Sequence, residues 1–251
     1  MSRLLTVFAG ATALVVSAFV LTQGQKPDSP SGSIADNGKP VLVELFTSQG
    51  CSSCPSADAL VARIKHESGM VIISRPVTYW DRLGWKDTLA REENTQLQRL
   101  YAHRGLSGQN GIYTPQMVAN GRIGFVGSSE KDLRKAVLQA RGQSTAAIVT
   151  RALPRGDWLV GLGGTAPKGA ELMLVAVSNH VTVAIGRGEN GGRDIGYTNV
   201  LRAETRIVSW NGGRKSVTVP GAQLTMQGAD RYALVLREAN GGPVLASTWI
   251  G

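Results

Sequence analysis

Cysteine usage restricts this chain more than any other feature. Its 251 residues contain two cysteines, three positions apart, as Cys51-Ser52-Ser53-Cys54. A pair so close closes too small a loop to restrain the unfolded chain much, so it is a poor structural staple. No long-range disulfide within the chain and no four-cysteine zinc site is possible. The three histidines, His66, His103 and His180, are scattered. In an oxidising compartment such a pair is either a redox-active dithiol or a soft-metal clip for an ion such as Cu(I). No Met or His stands in the motif to complete a metal site, so no metal ligands and no cofactor are assigned.

The surroundings favour the redox reading. Residues 40–47, PVLVELFT, form a short apolar run that reads as a buried central strand. The turn Ser48-Gln49-Gly50 leads into the cysteines, and from Ser53 the apolar residues Ala57, Leu60, Val61 and Ile64 recur at helical spacing. Cys51 is therefore expected at a helix entrance. Unpaired amides and the positive dipole end there favour a thiolate and should hold its pKa below the free value of about 8.5. Pro55 suits the first turn, where a missing N–H costs little. Downstream, the pattern predicts a strand over 69–78, a helix over 89–103, a hairpin of 116–119 with 122–126 about Asn120-Gly121, and a helix over 129–140.

After Gly142 the pattern changes to short strands near 146–152, 157–162, 171–177, 181–186, 197–209, 214–219, 231–238 and 243–249, parted by glycine-rich turns. That spacing argues a β-sandwich-like unit. Within it, Gly186-Arg187-Gly188-Glu189-Asn190-Gly191 matches the dinucleotide fingerprint as text. The glycines lead on into more strand rather than a helix, so a pyrophosphate would find no helix N-terminus. A hairpin or functional loop is the better reading, with Arg187, Glu189, Asn190 and Arg193 as a polar patch.

At the N-terminus, Arg3 precedes an uncharged apolar stretch over 4–21, so residues 1–24 read as a signal peptide or signal-anchor. No small-x-small cleavage signature follows, which keeps anchoring in the inner membrane open beside a periplasmic or secreted product. Residues 25–39, rich in Ser, Pro, Gly and Asp, read as a flexible linker. The net charge of +9 is spread out, with 15 basic against 11 acidic residues in 1–140 and 12 against 7 in 141–251. With no basic run or recognised motif, no nucleic-acid partner is expected.

Strand, helix, strand, helix, hairpin, helix, with a cysteine pair at the first helix and Thr114-Pro115 before the hairpin, resembles the thioredoxin fold. More closely, ELFTSQGCSSCPSAD, TYWDRLGWKD, YTPQMVANGR and GRGENGGRDIGYTNV are similar to the exported family known as domain of unknown function 1223, over nearly everything from Val41 to the C-terminus. The expected architecture is an α/β thioredoxin-like domain over 40–142 followed by an all-β, sandwich-like domain over 143–251. The thioredoxin resemblance implies Cys51 as attacking thiolate, Cys54 as resolving thiol, and Pro115 as a cis-proline beside them. It also implies that Thr114 offers its backbone to a client peptide. Glu44 resembles the buried acid that accepts a proton from the second cysteine, although the match needs one extra residue between strand and cysteines. Gly50 and the Ser-Ser pair depart from the thioredoxin pattern, and such residues help set redox poise. Tyr79, Trp80, Asp81 and Trp85 follow the second strand and read either as a wall for an apolar substrate or as core packing, with Asp81 as a candidate to orient a proton relay. The function expected is exported thiol–disulfide exchange on a protein or small-thiol client. Soft-metal handling and a non-catalytic binding module are the alternatives.

Overall fold

All seven residues of strand β1 (Val41–Thr47) are buried, as an apolar run with neighbours on both edges should be. In this computed structural model, which describes residues 39–108, 111–166 and 168–250, β1 pairs in parallel with β2 (Met70–Pro76) and antiparallel with β3 (Gln116–Ala119). The hairpin from β3 to β4 (Ile123–Val126) turns through residues 120–122, with Asn120 and Gly121 at φ 46° and 59°, left-handed backbone that asparagine and glycine adopt most readily. Alternation along β1 divides its side chains between two faces. Val41, Val43 and Leu45 pack with helices α1 (Pro55–Ile64) and α3 (Glu130–Arg141). Leu42, Glu44 and Phe46 take the other face, where Phe46 meets Tyr101 of helix α2 (Glu92–His103) edge to face at 5.9 Å.

The expected division into an α/β thioredoxin-like domain and a separate sandwich-like domain is overturned. The second half of the chain supplies β5 (Ala146–Ala152), β6 (Trp158–Gly164), β7 (Ala170–Ile185), β8 (Arg193–Trp210), β9 (Lys215–Val219), β10 (Arg231–Arg237) and β11 (Val244–Ile250). Four of these continue the sheet of the first half, giving one mixed eight-stranded sheet in the order β11-β10-β7-β8-β2-β1-β3-β4. The outer edge of β2 is what joins the halves, because β8 pairs with it in parallel through Ser74 and Val200. Three α-helices accompany eleven strands among the described residues, so the chain is mostly β rather than α/β at one end.

The strands expected near 171–177 and 181–186 are a single 16-residue strand, β7, which pairs with the 18-residue β8. Register shifts at Leu172/Met173 and Ala176/Val177 let this long hairpin bend. Its base, together with β10 and β11, folds back over β1 and β2, so that Leu42, Val71 and Ile73 pack against Val175, Val177, Val235 and Val244. A second core, which includes Leu172, Leu234, Trp210 and Val160, joins the base to the separate three-stranded sheet β5-β6-β9. The hairpin tip runs in the other direction and ends at the cysteine turn.

Among the described residues, no helix is long and apolar enough to cross a membrane. The targeting segment expected over 1–24, and the linker over 25–39 apart from Lys39, lie outside the described residues.

Candidate functional site

Beyond β1 the backbone turns sharply: Ser48 Oγ accepts from Gly50 N at 3.1 Å, and Cys51 N donates to Ser48 O at 3.2 Å. Cys54 N then donates to Cys51 O, and Cys54 becomes the N-cap of α1, with Pro55 in the first turn. Cys51 and Cys54 form a disulfide with a Cα–Cα separation of 5.4 Å. Both are 0% exposed, whereas Ser52 and Ser53 between them face solvent. Cys51 Sγ has Ser53 Oγ at 3.4 Å.

The segment after β2 braces this turn from one side. Gln49 N donates to Asp87 Oδ2 at 2.8 Å, and Gln49 Oε1 accepts from Trp85 Nε1 at 2.9 Å. Asp81 Oδ1 accepts from Asp87 N, so Asp81 holds the loop in shape and lies one residue removed from the turn itself. Burial raises the Asp87 carboxyl above the usual carboxylate range, against the hydrogen bond from Gln49 N. Trp80 joins two parts of the expected site. A Cβ on Gly50 would lie 3.3 Å from Trp80 Cβ, and Trp80 Nε1 donates to Thr114 Oγ1 at 2.8 Å. Glycine before Cys51 therefore lets Trp80 seat against the turn. The Thr114–Pro115 peptide is cis, and Pro115 O accepts from Gly127 N. Tyr79 is half-buried beside Trp80, and burial pushes its hydroxyl up to about 12.

Glu44 belongs elsewhere. It is fully buried on the face of β1 opposite to α1, where Oε1 accepts from Arg75 Nε at 2.7 Å and from Arg237 Nη2 at 2.6 Å, and Tyr101 Oη donates to Oε2. Arg75 also forks onto Glu204 at 2.9 and 2.7 Å. Both Glu44 oxygens are thus engaged by Arg75, Arg237 and Tyr101, on the face of β1 away from the helix that Cys54 caps. The buried acid next to the pair is Asp58, one helical turn after Cys54, whose N–H donates to Cys54 O at 3.1 Å. Thr47 Oγ1 donates to Asp58 Oδ2 at 3.0 Å, while Oδ1 has no hydrogen-bond partner among the described residues. Burial pushes this carboxyl up to about 8; the Thr47 hydrogen bond opposes the rise, and the charge of Asp87 adds to it.

The tip of the β7–β8 hairpin closes the other side. Asn190 Nδ2 donates to Gln49 O at 3.0 Å and to Cys51 O at 2.9 Å, and Glu189 Oε2 accepts from Ser52 N at 2.8 Å. Arg193 Nη1 donates to Asn190 Oδ1, while Arg187 is exposed. The expected polar patch is thus partly a clamp on the cysteine turn. Asp58 and the target of Asn190 escaped the sequence reading. Asp58 left a signal, since it is a carboxylate inside the apolar set Ala57, Leu60 and Val61 of α1. Among the described residues, no group of three or more His, Cys, Asp or Glu side chains is placed to hold a metal ion.

A family model described as "Protein of unknown function (DUF1223)" matches residues 42–237. Among solved structures, the crystal structure of protein AGR_C_4864 from Agrobacterium tumefaciens is similar at a TM-score of 0.72 and 26% identity, covering 86% of this chain and 96% of that one. HBP35 of Porphyromonas gingivalis shares the fold at a TM-score of 0.55 and 11% identity, over 85% of this chain and 75% of that one. No curated protein matches the chain.

Proposed function

Because the chain belongs to the DUF1223 family, whose members are described as proteins of unknown function, its chemistry has to be read from its own site, and we propose that it carries out thiol–disulfide exchange through Cys51 and Cys54. One observation carries this reading: the disulfide is built into the turn that opens α1, with the partly unpartnered carboxyl of Asp58 one helical turn behind Cys54. In the reduced protein, the Cys51 thiolate attacks a client disulfide. A mixed S–S bond forms, and the second client sulfur leaves as a thiolate that takes a proton from water. Cys54 passes its proton to the Asp58 carboxylate and attacks Cys51 Sγ, which releases the remaining client sulfur to be protonated in turn. The client gains two electrons from the cysteine pair and two protons from solvent, while the pair gives up one proton when Cys51 ionises and one from Cys54 to Asp58; the reverse sequence oxidises a client dithiol.

A carboxyl near 8 suits this transfer, because an acid–base group works best when its pKa lies close to that of its partner and to the ambient pH. Trp80 and Trp85, with Tyr79 and Asp81 behind them, wall the approach, and Thr114 offers backbone beside Pro115 for an extended client segment. The apolar run over 4–21 supports a periplasmic or secreted workplace, or an inner-membrane one where the run is retained as an anchor.

The test is reduction of insulin by the purified protein with dithiothreitol as electron donor, followed by turbidity from pH 6 to 9. Catalysis above the dithiothreitol background is expected, with an inflection near pH 8 that Asp58→Asn removes. A rate equal to background overturns the reading. The same variant has a stability signature. The folded-state pKa of Asp58 is raised, so between about pH 4 and 8 the native state binds a proton that the unfolded chain has released. Native stability is then highest at low pH and falls as pH rises through that window, by at most ~1.4 kcal/mol per pH unit. Urea midpoints at pH 5 and pH 8 should differ in the natural protein and draw together in Asp58→Asn.

A further inference from the structure

Asn190 is the one buried residue of the otherwise exposed loop over 186–192. Four of the seven loop residues are glycine, and Gly188 and Gly192 both sit at φ 80°. Trp85 lies under the loop, its ring 3.0 Å from where a Cβ on Gly186 would stand. The loop engages three backbone groups around Cys51: Asn190 Nδ2 holds Gln49 O and Cys51 O, and Glu189 Oε2 holds Ser52 N. Gln49 is independently fixed by Asp87 and Trp85, so the cysteine turn keeps its anchorage when the loop is withdrawn.

Both cysteines of the turn that the loop holds are 0% exposed. A thiolate that attacks a disulfide has to reach one sulfur, and exchange rates depend on that access. We propose that the 186–192 loop controls access to the disulfide, with Asn190 as the positioning residue that holds it down and Glu189 as a secondary tie. The loop admits small thiols ahead of protein-sized ones, and a protein client reacts once Asn190 leaves its two carbonyls. A glycine-rich backbone makes that withdrawal inexpensive in strain, because few side chains need a new place. The purpose assigned to the loop rests on the exchange reading, but its test does not.

The full chain is taken in its oxidised form, and its reduction is timed with dithiothreitol and, separately, with a small reduced dithiol protein. Each reductant forms its own disulfide as it delivers two electrons. The readout is the ratio of the two second-order rate constants. The natural protein should favour dithiothreitol. Asn190→Ala, checked for an unchanged far-ultraviolet spectrum, should lower that preference by about tenfold or more, as expected for the loss of two hydrogen bonds. Glu189→Gln should lower it less, since that contact is exposed. Ratios equal to the natural one in both variants overturn the proposal. Should Asn190→Ala fail to fold, Glu189→Ala, which removes the acceptor of the Ser52 N–H, decides alone: a lowered ratio upholds the proposal and an unchanged one overturns it. A lowered ratio in a protein that fails the insulin assay would sink the exchange reading and leave the access role standing.

Discussion

Replacing Cys51 by serine is expected to bring the proposed exchange activity down to background, whereas Cys54→Ser should let the first step proceed and strand the client on Cys51. The asymmetry follows from the chain geometry. Cys54 caps α1 with Asp58 one turn behind it, while Cys51 precedes the helix with its Sγ 3.4 Å from Ser53 Oγ. Without a resolving thiol, a mixed disulfide has no internal route to release. Incubation of each variant with a disulfide-containing peptide, followed by non-reducing electrophoresis and intact-mass measurement, should show a peptide adduct on Cys54→Ser and almost none on Cys51→Ser. Equal adducts on the two variants would remove the distinction between attacking and resolving cysteine.

The largest stability loss is expected at Glu44, not at the cysteines. Glu44→Ala removes the shared partner of Arg75 and Arg237, whose side chains are 1% and 10% exposed, and leaves Glu204 facing two buried cations. Breaking a buried ion cluster by deleting one member costs roughly 3–5 kcal/mol, because the remaining charges stay desolvated. Glu130→Ala is the natural control. Its pairs with Arg63 and Arg134 are substantially exposed, and each such pair contributes about 1 kcal/mol or less. Urea unfolding of the two variants should therefore separate them by several-fold in free energy. A Glu44→Ala loss no larger than that of Glu130→Ala would show that the cluster does not hold the sheet faces together.

What the sequence displayed was local. The apolar run over 41–47, the helical spacing of Ala57, Leu60, Val61 and Ile64, and the Asn120-Gly121 turn each depend on residues a few positions apart, and each appears in the structure where the pattern placed it. Thr114-Pro115 ahead of the hairpin was expected to be cis, and it is. The failures concern partners far along the chain. Glu44 is bound by Arg75 and by Arg237, 31 and 193 positions away, and nothing near Glu44 says which arginines will arrive. The pairing of Ser74 with Val200 carries no periodic signature, so β2 looked complete without β8 and the halves read as separate domains. Asn190 stood out only as a polar residue among glycines, because its targets are backbone carbonyls that any sequence supplies. The buried acid beside the pair, Asp58, follows the cysteines on the helix, whereas the thioredoxin resemblance points to the strand before them.

The single sheet also governs the order in which this molecule is assembled. The second face of β1 and β2 is finished by Val235 and Val244, and the charge on Glu44 by Arg237, so the earliest strands synthesised wait for nearly the last. Contacts so distant along the chain make folding slow and leave partly folded states open to aggregation. A growing chain that has reached residue 142 holds α1, α3 and the cysteine turn, but its apolar β2 edge and the Leu42, Val71 and Ile73 face are bare. Such a fragment should be sticky and poorly structured, and a disulfide closed in it forms before Asn190 exists to hold the Gln49 and Cys51 carbonyls. The clamping of the cysteine turn by Asn190 and Glu189 is therefore a late event in the life of each molecule, timed by the arrival of the β7–β8 hairpin.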